Sequence, residues 1–299
     1  MYELILNFLI RNNFQYINKI LFNLFKFFLK KKIVLNFLKF KFYAYPQKKE
    51  LSRWMIRNLK IWDKEHIEII LNQIINDNAI FIDIGSNYGA YSIPIAKLKN
   101  KINVYCFDPS EKALNQLKDN IELNNIKNIK HFNIGIGEKK KSVYFDDEIQ
   151  NYKNSGSYEI NNKNLGKKIE INSIDNLIES KEIFPKKNVI IKMDIEGYEF
   201  LAIQGLKQTI SKYNVFIFFE FSKKLILNHD NLQILLKKFL EQNNLKLFNL
   251  KFDQIKIEEL FDEIKYIPKG HEVLGNYVIS KNINFKNSII RNLININNK

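Results

Sequence analysis

Short apolar runs alternate with amphipathic stretches through the middle of the chain. Seven runs are rich in Ile, Val and Phe: 79–84, 104–107, 129–134, 189–193, 215–221, 246–252 and 277–280. Apolar positions recur at helical spacing around them, as in 67–74, 91–98, 111–123, 200–211 and 231–241. Strands that are apolar on both faces and separated by helices are typical of a mostly parallel sheet covered on both sides. The pattern predicts an α/β, doubly wound domain with seven strands.

The first 45 residues have a different pattern, in which a broad apolar face lies opposite a polar stripe. On a helical projection the polar residues share one face: Asn12, Lys19, Asn23, Lys26 and Lys30. The segment has eight Lys or Arg and one acid, so it carries 8 − 1 = +7 of the total charge of +15. Such a helix either packs on protein, including a second copy in a homo-oligomer, or lies on an anionic membrane surface. The sequence leaves both interpretations open.

Pro46 and the polar residues after it mark a predicted domain boundary. We expect a basic, aromatic-rich helical extension over 1–48, the α/β domain over 49–285, and a polar tail over 286–299. Turn signals at 154–156 and 165–166 predict an inserted hairpin region over 142–172.

Composition narrows the choice of partners and compartment. Only four of the 47 basic residues are Arg, whereas nucleic-acid sites rely on the forked guanidinium of Arg, so the charge is weak support for nucleic acid. The single cysteine, Cys106, lies in an apolar run and cannot form an internal disulfide. No secretory signal or long uncharged apolar run is evident. These features predict a cytoplasmic protein, peripheral on the inner membrane face if residues 1–45 bind lipid.

The first strand runs into a glycine-containing loop, Asp83-Ile84-Gly85-Ser86-Asn87-Tyr88-Gly89, and the second ends in Asp108. Ligands of such sheets bind beyond the carboxyl ends of the strands, where glycines allow tight turns and close approach. An acid after the second strand typically accepts hydrogen bonds from ribose hydroxyls. The loop lacks the middle glycine of Gly-x-Gly-x-x-Gly, which disfavours a dinucleotide pyrophosphate. An adenosine-containing ligand without phosphates fits better.

A second motif follows the fourth strand. The run Lys192-Met193-Asp194-Ile195-Glu196-Gly197-Tyr198-Glu199 places three carboxylates and a lysine at the end of a central strand. Such a cluster is costly unless it is paired or functional. The structural alternative is that Lys192 pairs with Glu199 while Glu196 caps the next helix.

Together these motifs resemble the FkbM family of S-adenosylmethionine-dependent methyltransferases. The resemblance covers about residues 50–285 and rests on several quoted segments: 83–92, Phe107-Asp108-Pro109, Asn120, Asn124, 173–175, 191–199, Gly205 and Glu220. The family usually has Glu at the position of Asp108. The resemblance implies a Rossmann-like sheet, S-adenosylmethionine as cofactor, and transfer of a methyl group to oxygen, often a sugar hydroxyl.

The resemblance also implies a set of site residues. Those expected to bind the cofactor are Asp83, Gly85, Ser86, Asn87, Gly89, Ser92, Asp108, Pro109, Gly135 and Ile136. A base is useful if the acceptor is a neutral hydroxyl, and we rank Glu196 first, then Asp194, then Glu220, with His229 as an outside candidate. Three acids without His lack metal-ligand spacing, so no metal is predicted. The expected acceptor is a hydroxyl-bearing small molecule or glycan.

Two other functions compete with this interpretation. The charge alone would suit a nucleic-acid methyltransferase, but amino-methylating enzymes usually carry Asn/Asp-Pro-Pro-aromatic where this chain has Asp194-Ile195-Glu196-Gly197. The other is a non-enzymatic adenosyl-ligand-binding protein docked on a membrane, which would bind the cofactor but transfer no methyl group.

Overall fold

The computed structural model describes residues 20, 22, 32–37, 39–45, 50–58, 60–146, 159–161, 166–263 and 273–281. This part of the chain contains an eight-stranded sheet, a four-stranded sheet and a two-stranded hairpin. The polar stripe predicted at Asn12, Lys19, Asn23, Lys26 and Lys30 lies outside the described residues. So do the boundary at Pro46, the turn at 154–156 and the tail at 286–299.

The large sheet has the predicted doubly wound, mostly parallel topology. The strands are β1 (Ile33–Phe37), β2 (Phe40–Ala44), β3 (Ala79–Ile84), β4 (Asn103–Phe107), β5 (Ile129–Phe132), β6 (Gly135–Ile136), β7 (Lys141–Asp146), β8 (Glu159–Asn161), β9 (Lys167–Asn172), β10 (Asn188–Met193), β11 (Asn214–Ser222), β12 (Lys246–Phe248), β13 (Gln254–Ile255) and β14 (Val273–Ser280). The order in the large sheet is β13-β12-β14-β11-β10-β3-β4-β5. Strands β5, β4, β3, β10 and β11 are parallel neighbours, and β14 runs antiparallel to β11 and β12. The fold class is confirmed, and the two-residue β13 adds an eighth strand to the seven predicted.

Helices cover both faces of this sheet. They are α1 (Glu50–Asn58), α2 (Lys64–Gln73), α3 (Ser92–Leu98), α4 (Glu111–Leu123), α5 (Ile174–Glu179), α6 (Glu199–Gln204), α7 (Lys207–Lys212), α8 (Lys223–Leu227), α9 (Leu232–Gln242) and α10 (Ile257–Glu263). Successive strand residues point to opposite faces, so Phe81 packs under α1 to α4 while Ile80 and Ile82 pack under α5 to α10. Because both faces of these strands are buried, the strands are continuous apolar runs in the sequence.

The helix predicted over 200–211 is broken in the structure into α6 and α7. The break falls at Gly205, where a Cβ would lie 2.2 Å from the carbonyl oxygen of Gly137. Asp175 then accepts hydrogen bonds from the backbone nitrogens of Gln208 and Thr209, both at 2.8 Å. Because this carboxylate satisfies free donors at the start of α7, the short second helix is capped by a residue from α5.

The helical prediction for the N-terminal segment is wrong at residues 33–44, which form the antiparallel hairpin β1–β2. Buried residues alternate with more exposed ones along each strand, a period of two that a helical projection does not describe. The buried residues are Ile33, Leu35, Phe37, Phe40, Phe42 and Ala44. All six belong to the core on the α1-to-α4 side of the large sheet. The hairpin is therefore a packed part of the domain.

Asn120 of α4 and Asn124, the C-cap of that helix, hold the hairpin, and Asn120 also bonds to the loop 85–91 that follows β3 (the first loop). Asn120 accepts a hydrogen bond from the backbone nitrogen of Tyr43 at 2.8 Å and donates one to the carbonyl oxygen of Tyr88 at 2.9 Å. Asn124 exchanges two hydrogen bonds of 2.7 Å with the backbone of Lys41. These contacts give Asn120 and Asn124 a structural role.

Ahead of the hairpin, Ile20 and Phe22 are helical in the structure, and Phe22 is buried in the same core. Among the described helices, none combines the length and the apolarity that a membrane crossing requires.

Residues 135–172 contribute a small sheet with strand order β6-β9-β7-β8. Its β7–β8 and β7–β9 pairs are antiparallel, while β6 and β9 are parallel. Phe145, Ile169 and Ile171 form its own small core.

Candidate active site

The topological switch point of the large sheet lies between β3 and β10, which are adjacent although more than 100 residues separate them in the chain. The carboxyl ends of both strands point to the same edge. The backbone nitrogen of Asp194 donates to the carbonyl oxygen of Ile84 at 3.2 Å. The loop after β3 and the loop after β10 are consequently neighbours, where ligands bind in folds of this kind.

The loop after β3 is held in a tight turn by its own backbone and by β4. Gly85 and Ser86 donate from their backbone nitrogens to the carbonyl oxygen of Phe107 at 2.9 and 3.1 Å. Three loop residues have positive φ: Gly85 at 76°, Asn87 at 48° and Gly89 at 90°. Glycine and asparagine tolerate this region best, so the local sequence suits the turn.

Gly85 makes its close approach to the neighbouring strand end. A Cβ at Gly85 would lie 2.0 Å from the carbonyl oxygen of Asp194. The structure therefore explains this glycine by contact between the two loops, whereas the sequence suggested close approach to a ligand. A side chain here would push the loops apart.

Asp108 fixes the same loop from the end of β4. Its Oδ2 accepts from the backbone nitrogen of Asn87 and its Oδ1 from that of Ser110, both at 2.8 Å. Asn133, which the sequence analysis did not single out, donates to the carbonyl oxygens of Asp108 and Pro109. The ribose contact predicted for Asp108 stays a prediction, while its role in ordering the loop is visible.

Asp83 is completely buried beneath the loop. Its Oδ2 accepts a short hydrogen bond from the hydroxyl of Ser92, and the thiol of Cys106 donates to that hydroxyl at 3.1 Å. Its Oδ1 lies 3.6 Å from the ammonium of Lys192. Burial raises the pKa of Asp83 more than Lys192 and Ser92 lower it. Asp83 and Ser92 thus act below the loop, as packed residues that orient it.

Lys192 is the buried cation that joins the two loops. Its ammonium lies 3.4 Å from Asp194, donates to the carbonyl oxygen of Gly85 at 3.1 Å, and sits 4.9 Å from the ring centroid of Tyr91. Burial lowers the pKa of Lys192, but the attraction of Asp194 and Asp83 outweighs it and the net pKa is raised. The lysine remains charged and neutralises buried carboxylates, so the predicted Lys192–Glu199 pair is wrong.

Glu199 caps the acidic loop, which comprises residues 194–198 between β10 and α6. Its two carboxyl oxygens accept from the backbone nitrogens of Ile195 at 2.8 Å and Gly197 at 3.0 Å. Burial raises its pKa to about 7, against the lowering effect of these backbone donors. Glu199 therefore orders the loop before α6, whereas the helix cap expected from Glu196 is not formed, because the N-cap residue Tyr198 makes no side-chain capping bond.

Glu196 instead turns outward from a left-handed backbone conformation, with φ at 57°. Its carboxylate pairs with the ammonium of Lys224 at 3.3 Å. Asn228 donates to the carbonyl oxygen of Gly197 at 3.3 Å. Lys224 of α8 and Asn228, the C-cap of that helix, thus hold the acidic loop at Glu196 and Gly197.

Glu220, near the end of β11, interacts electrostatically with the carboxylates of the acidic loop. Burial raises the pKa of Glu220, and Asp194, Glu196 and Glu199 raise it further, to about 9 despite the opposing effect of Lys192. At neutral pH the Glu220 carboxyl holds its proton. It can donate a hydrogen bond there, but it cannot accept a proton.

Glu220→Gln should flatten the dependence of stability on pH. Because the folded pKa of Glu220 is raised, its contribution is present below the usual carboxyl range and is lost as pH rises towards about 9. A neutral amide lacks this loss, so the variant should gain more than about 1 kcal/mol of unfolding free energy at about pH 8.5 and much less at about pH 5. Urea unfolding at both pH values measures this, with Glu122→Gln as an exposed control. Equal gains at both values would contradict the protonated state.

Two polar atoms in the loop after β3 lack partners. Ser86 Oγ and Asn87 Oδ1 are buried and have no hydrogen-bond partner among the described residues. Buried polar groups are nearly always satisfied, and an exception is often explained by an absent ligand or water. The first loop therefore has the donors and acceptors that a polar cofactor needs.

The remaining predicted residues lie around this edge. Gly135 and Ile136 form β6, directly after β5, and pair with β9. His229 stacks edge-on to Phe200 at 5.5 Å, and burial lowers its pKa. His229 therefore packs beside the acidic loop near Gly197.

Sequence reasoning missed a further polar cluster next to Lys192. The hydroxyl of Tyr91 donates to Asp63 at 2.8 Å, and Nδ1 of His66 lies 3.5 Å from the same carboxylate oxygen. The only signal in the sequence is Asp-x-x-His at the start of a helix, which is also an ordinary capping pattern.

Solved structures similar to this chain include an FkbM methyltransferase from Methylobacillus flagellatus KT, with a TM-score of 0.41 and 16% identity over 68% of this chain and 44% of that one. M. jannaschii TYW2 in complex with AdoMet has a TM-score of 0.41 and 15% identity over 84% of this chain and 86% of that one. A curated relative, the hexuronic acid methyltransferase AglP of Haloferax volcanii, is 26% identical over 164 residues. The match covers 55% of this chain and 64% of AglP, a little less than two thirds of that relative.

A doubly wound sheet with a glycine-containing loop and a second-strand acid at its switch point defines the class of Rossmann-like enzymes that bind nucleoside cofactors. A family model described as the methyltransferase FkbM domain matches residues 83–247, which is more than half of the chain and includes both loops. The chain belongs to the FkbM methyltransferase family, and S-adenosylmethionine is the methyl donor that this membership implies.

Proposed function

We propose that the protein transfers the methyl group of S-adenosylmethionine to a hydroxyl oxygen of a sugar, in a surface glycan or glycolipid precursor. Family membership supports methyl transfer, and the name of the relative AglP supports a sugar acceptor. The observation that carries the proposal is the contact between the two loops, where Lys192 bonds to Gly85 and pairs with Asp194. This contact brings carboxylates next to the predicted cofactor loop.

When bound, S-adenosylmethionine supplies a methyl group that its sulfonium charge already activates. The first loop would hold it through Ser86 Oγ and Asn87 Oδ1, with Asp108 keeping the loop in shape. The region around Pro109, Gly135 and Ile136 would border the adenosine. Nearby carboxylates favour a cationic group at this edge, because opposite charges attract strongly where water is partly excluded.

The geometry changes the ranking of the candidate bases. Glu196 and Asp194 each pair with a lysine, Lys224 at 3.3 Å and Lys192 at 3.4 Å, so pairing alone does not separate them, whereas Glu220 holds its own proton at neutral pH. Asp194 is 43% exposed and is paired with the lysine that also touches the cofactor loop. We therefore infer that Asp194 Oδ1 or Oδ2 receives the acceptor proton, ahead of Glu196, while Glu220 orients the acceptor.

Label transfer tests the proposed function. The full chain would be incubated with methyl-labelled S-adenosylmethionine and either a glycolipid extract, neutral and acidic sugar glycosides, or tRNA. Label that enters sugar and survives mild alkali is a methyl ether and supports the proposal. Label released by alkali is a carboxyl ester, and label on tRNA or on no acceptor at all would point to another activity or to cofactor binding alone.

Ser86→Ala should weaken cofactor binding without harming the fold. Its buried hydroxyl has no partner in the described structure, so its removal should leave the free energy of unfolding without ligand unchanged or higher. If the hydroxyl bonds to the cofactor, the dissociation constant for S-adenosylmethionine should rise by about tenfold. Calorimetry and thermal unfolding of the free protein measure the two effects. Ser211→Ala, at an exposed serine, is the control, and unchanged affinity in Ser86→Ala would remove Ser86 from the pocket.

A further inference from the structure

The cluster of Asp63, His66 and Tyr91 lies at the amino end of α2, beside the buried Lys192. The Tyr91 hydroxyl donates to Asp63 Oδ2 at 2.8 Å, and His66 Nδ1 lies 3.4 Å from that hydroxyl and 3.5 Å from the same carboxylate oxygen. One side of the Asp63 carboxylate is thus fixed by two neighbours. These contacts engage Asp63 through Oδ2 and His66 through Nδ1.

The side chain of Asp63 contacts Tyr91 and His66 and does not cap its own helix. It is the N-cap residue of α2, but its side chain makes no capping hydrogen bond, and its backbone is left-handed with φ at 51° and ψ at 38°. An Asp cap typically stabilises a helix by about 1 kcal/mol, and this contribution is absent here because the carboxylate is directed to Tyr91 and His66 instead. Asp is one of the few non-glycine residues that visit the left-handed region, so the sequence suits this backbone.

The cluster borders the proposed acceptor side of the site. Lys192 touches both Asp194 and the ring of Tyr91, so Tyr91 and Asp194 share one buried cation. The ring of His66 lies 5.3 Å from that of Phe218, which precedes Glu220 by two positions on β11 and therefore lies on the same face of the strand. The side chains of His66 and Asp63 are 22% and 31% exposed, which leaves them accessible from this edge.

We propose that Asp63 and His66 form a subsite that binds two neighbouring hydroxyls of the sugar acceptor, other than the hydroxyl that is methylated. In this proposal Tyr91 positions Asp63. The inference rests on the proposed function, because it describes the acceptor of the same reaction. A carboxylate is a pure acceptor and an imidazole presents a donor or acceptor nitrogen, so together they match the donors and acceptors of two neighbouring hydroxyls. An apolar acceptor would leave both groups unpaired.

The charge state of Asp63 agrees with this role. Burial raises its pKa, but His66, Tyr91 and Lys192 together lower it below its usual value. The carboxylate is ionised at neutral pH and accepts hydrogen bonds that are stronger than neutral ones. Loss of one such bond to a substrate hydroxyl should weaken binding by about tenfold or more.

Asp63→Asn and His66→Ala test the subsite in the full chain. Asn tolerates the left-handed backbone and can still accept from Tyr91, so the first variant should stay folded. The probes are the methyl α-pyranosides of glucose, galactose and mannose and their monodeoxy forms, whose binding is followed by saturation-transfer NMR with S-adenosylhomocysteine present. Glu65→Gln, an exposed neighbour on α2, is the control.

We expect the unmodified protein and Glu65→Gln to bind at least one pyranoside and to discriminate by about tenfold or more against one of its deoxy forms. In both cluster variants that discrimination should vanish, while affinity for S-adenosylhomocysteine stays within about twofold. Unchanged discrimination in both variants, or no pyranoside bound by the unmodified protein, would overturn the subsite. Sugar binding that depends on His66 without label transfer to any sugar would leave the subsite standing and refute the proposed function. Label transfer to a sugar with a KM that neither variant changes would refute the subsite and leave the proposed function standing.

Discussion

Asp194→Asn is expected to lower the turnover of methyl transfer by about two orders of magnitude or more, with little change in cofactor affinity. The amide keeps the size of the side chain but cannot take up the acceptor proton. Lys192 would retain Asp83 and the carbonyl oxygen of Gly85, so the two loops should stay joined. Single-turnover kinetics across pH measure the effect.

Glu196→Gln is the matched comparison, because it removes a carboxylate from the same loop while leaving Asp194 intact. Its loss of turnover should be smaller, since Glu196 pairs with Lys224 of α8 and not with Lys192, the lysine that also bonds to the cofactor loop. If Glu196→Gln abolished turnover and Asp194→Asn kept it over the whole pH range, Glu196 would be the base and the ranking derived from the geometry would be wrong.

Phe42→Ala is expected to lower the free energy of unfolding by about 3–5 kcal/mol, because truncating a fully buried aromatic residue leaves a cavity. Phe42 has no exposed surface and meets the ring of Tyr88 edge-on, with 6.1 Å between centroids. Tyr88 belongs to the first loop, so the variant should also weaken cofactor binding. Denaturant unfolding and calorimetry measure the two effects.

Lys39→Ala, at the exposed turn of the same hairpin, is the control and should have almost no effect. A chain that starts near Pro46 lacks the whole hairpin and should lose far more stability than Phe42→Ala. If that shortened chain kept its melting temperature and its cofactor affinity, the hairpin would be an appendage and the interpretation of residues 33–44 as core would fail.

The sheet could be predicted from sequence because both faces of its strands are buried. Runs such as Ala79–Ile84 are apolar at almost every position, and no other arrangement buries them so completely. The glycine loop and the acidic run could also be placed, since both follow directly from strand ends. The two loops are neighbours because β3 and β10 lie side by side at the switch point.

The roles of individual carboxylates could not be predicted, because they depend on contacts between distant segments. The sequence ranked Glu196 first as the base and paired Glu199 with Lys192, yet in the structure Lys224 pairs with Glu196 and backbone nitrogens bind Glu199. The hairpin was missed for a related reason. Its alternation of six positions is short, and the abundance of Phe, Leu and Lys around it fits a helical projection equally well.

The pinning of the hairpin by Asn120 has an implication for synthesis of the chain on the ribosome. The backbone nitrogen of Tyr43 precedes its partner Asn120 by 77 residues. At roughly 5–20 residues per second, Tyr43 is synthesised about 4–15 s before Asn120. Until α4 has been made, Leu35, Phe37 and Phe42 lack part of the core that covers them, and an uncovered apolar strand pair is prone to aggregate. A nascent chain stalled before Asn120 should therefore recruit ribosome-associated chaperones at this segment.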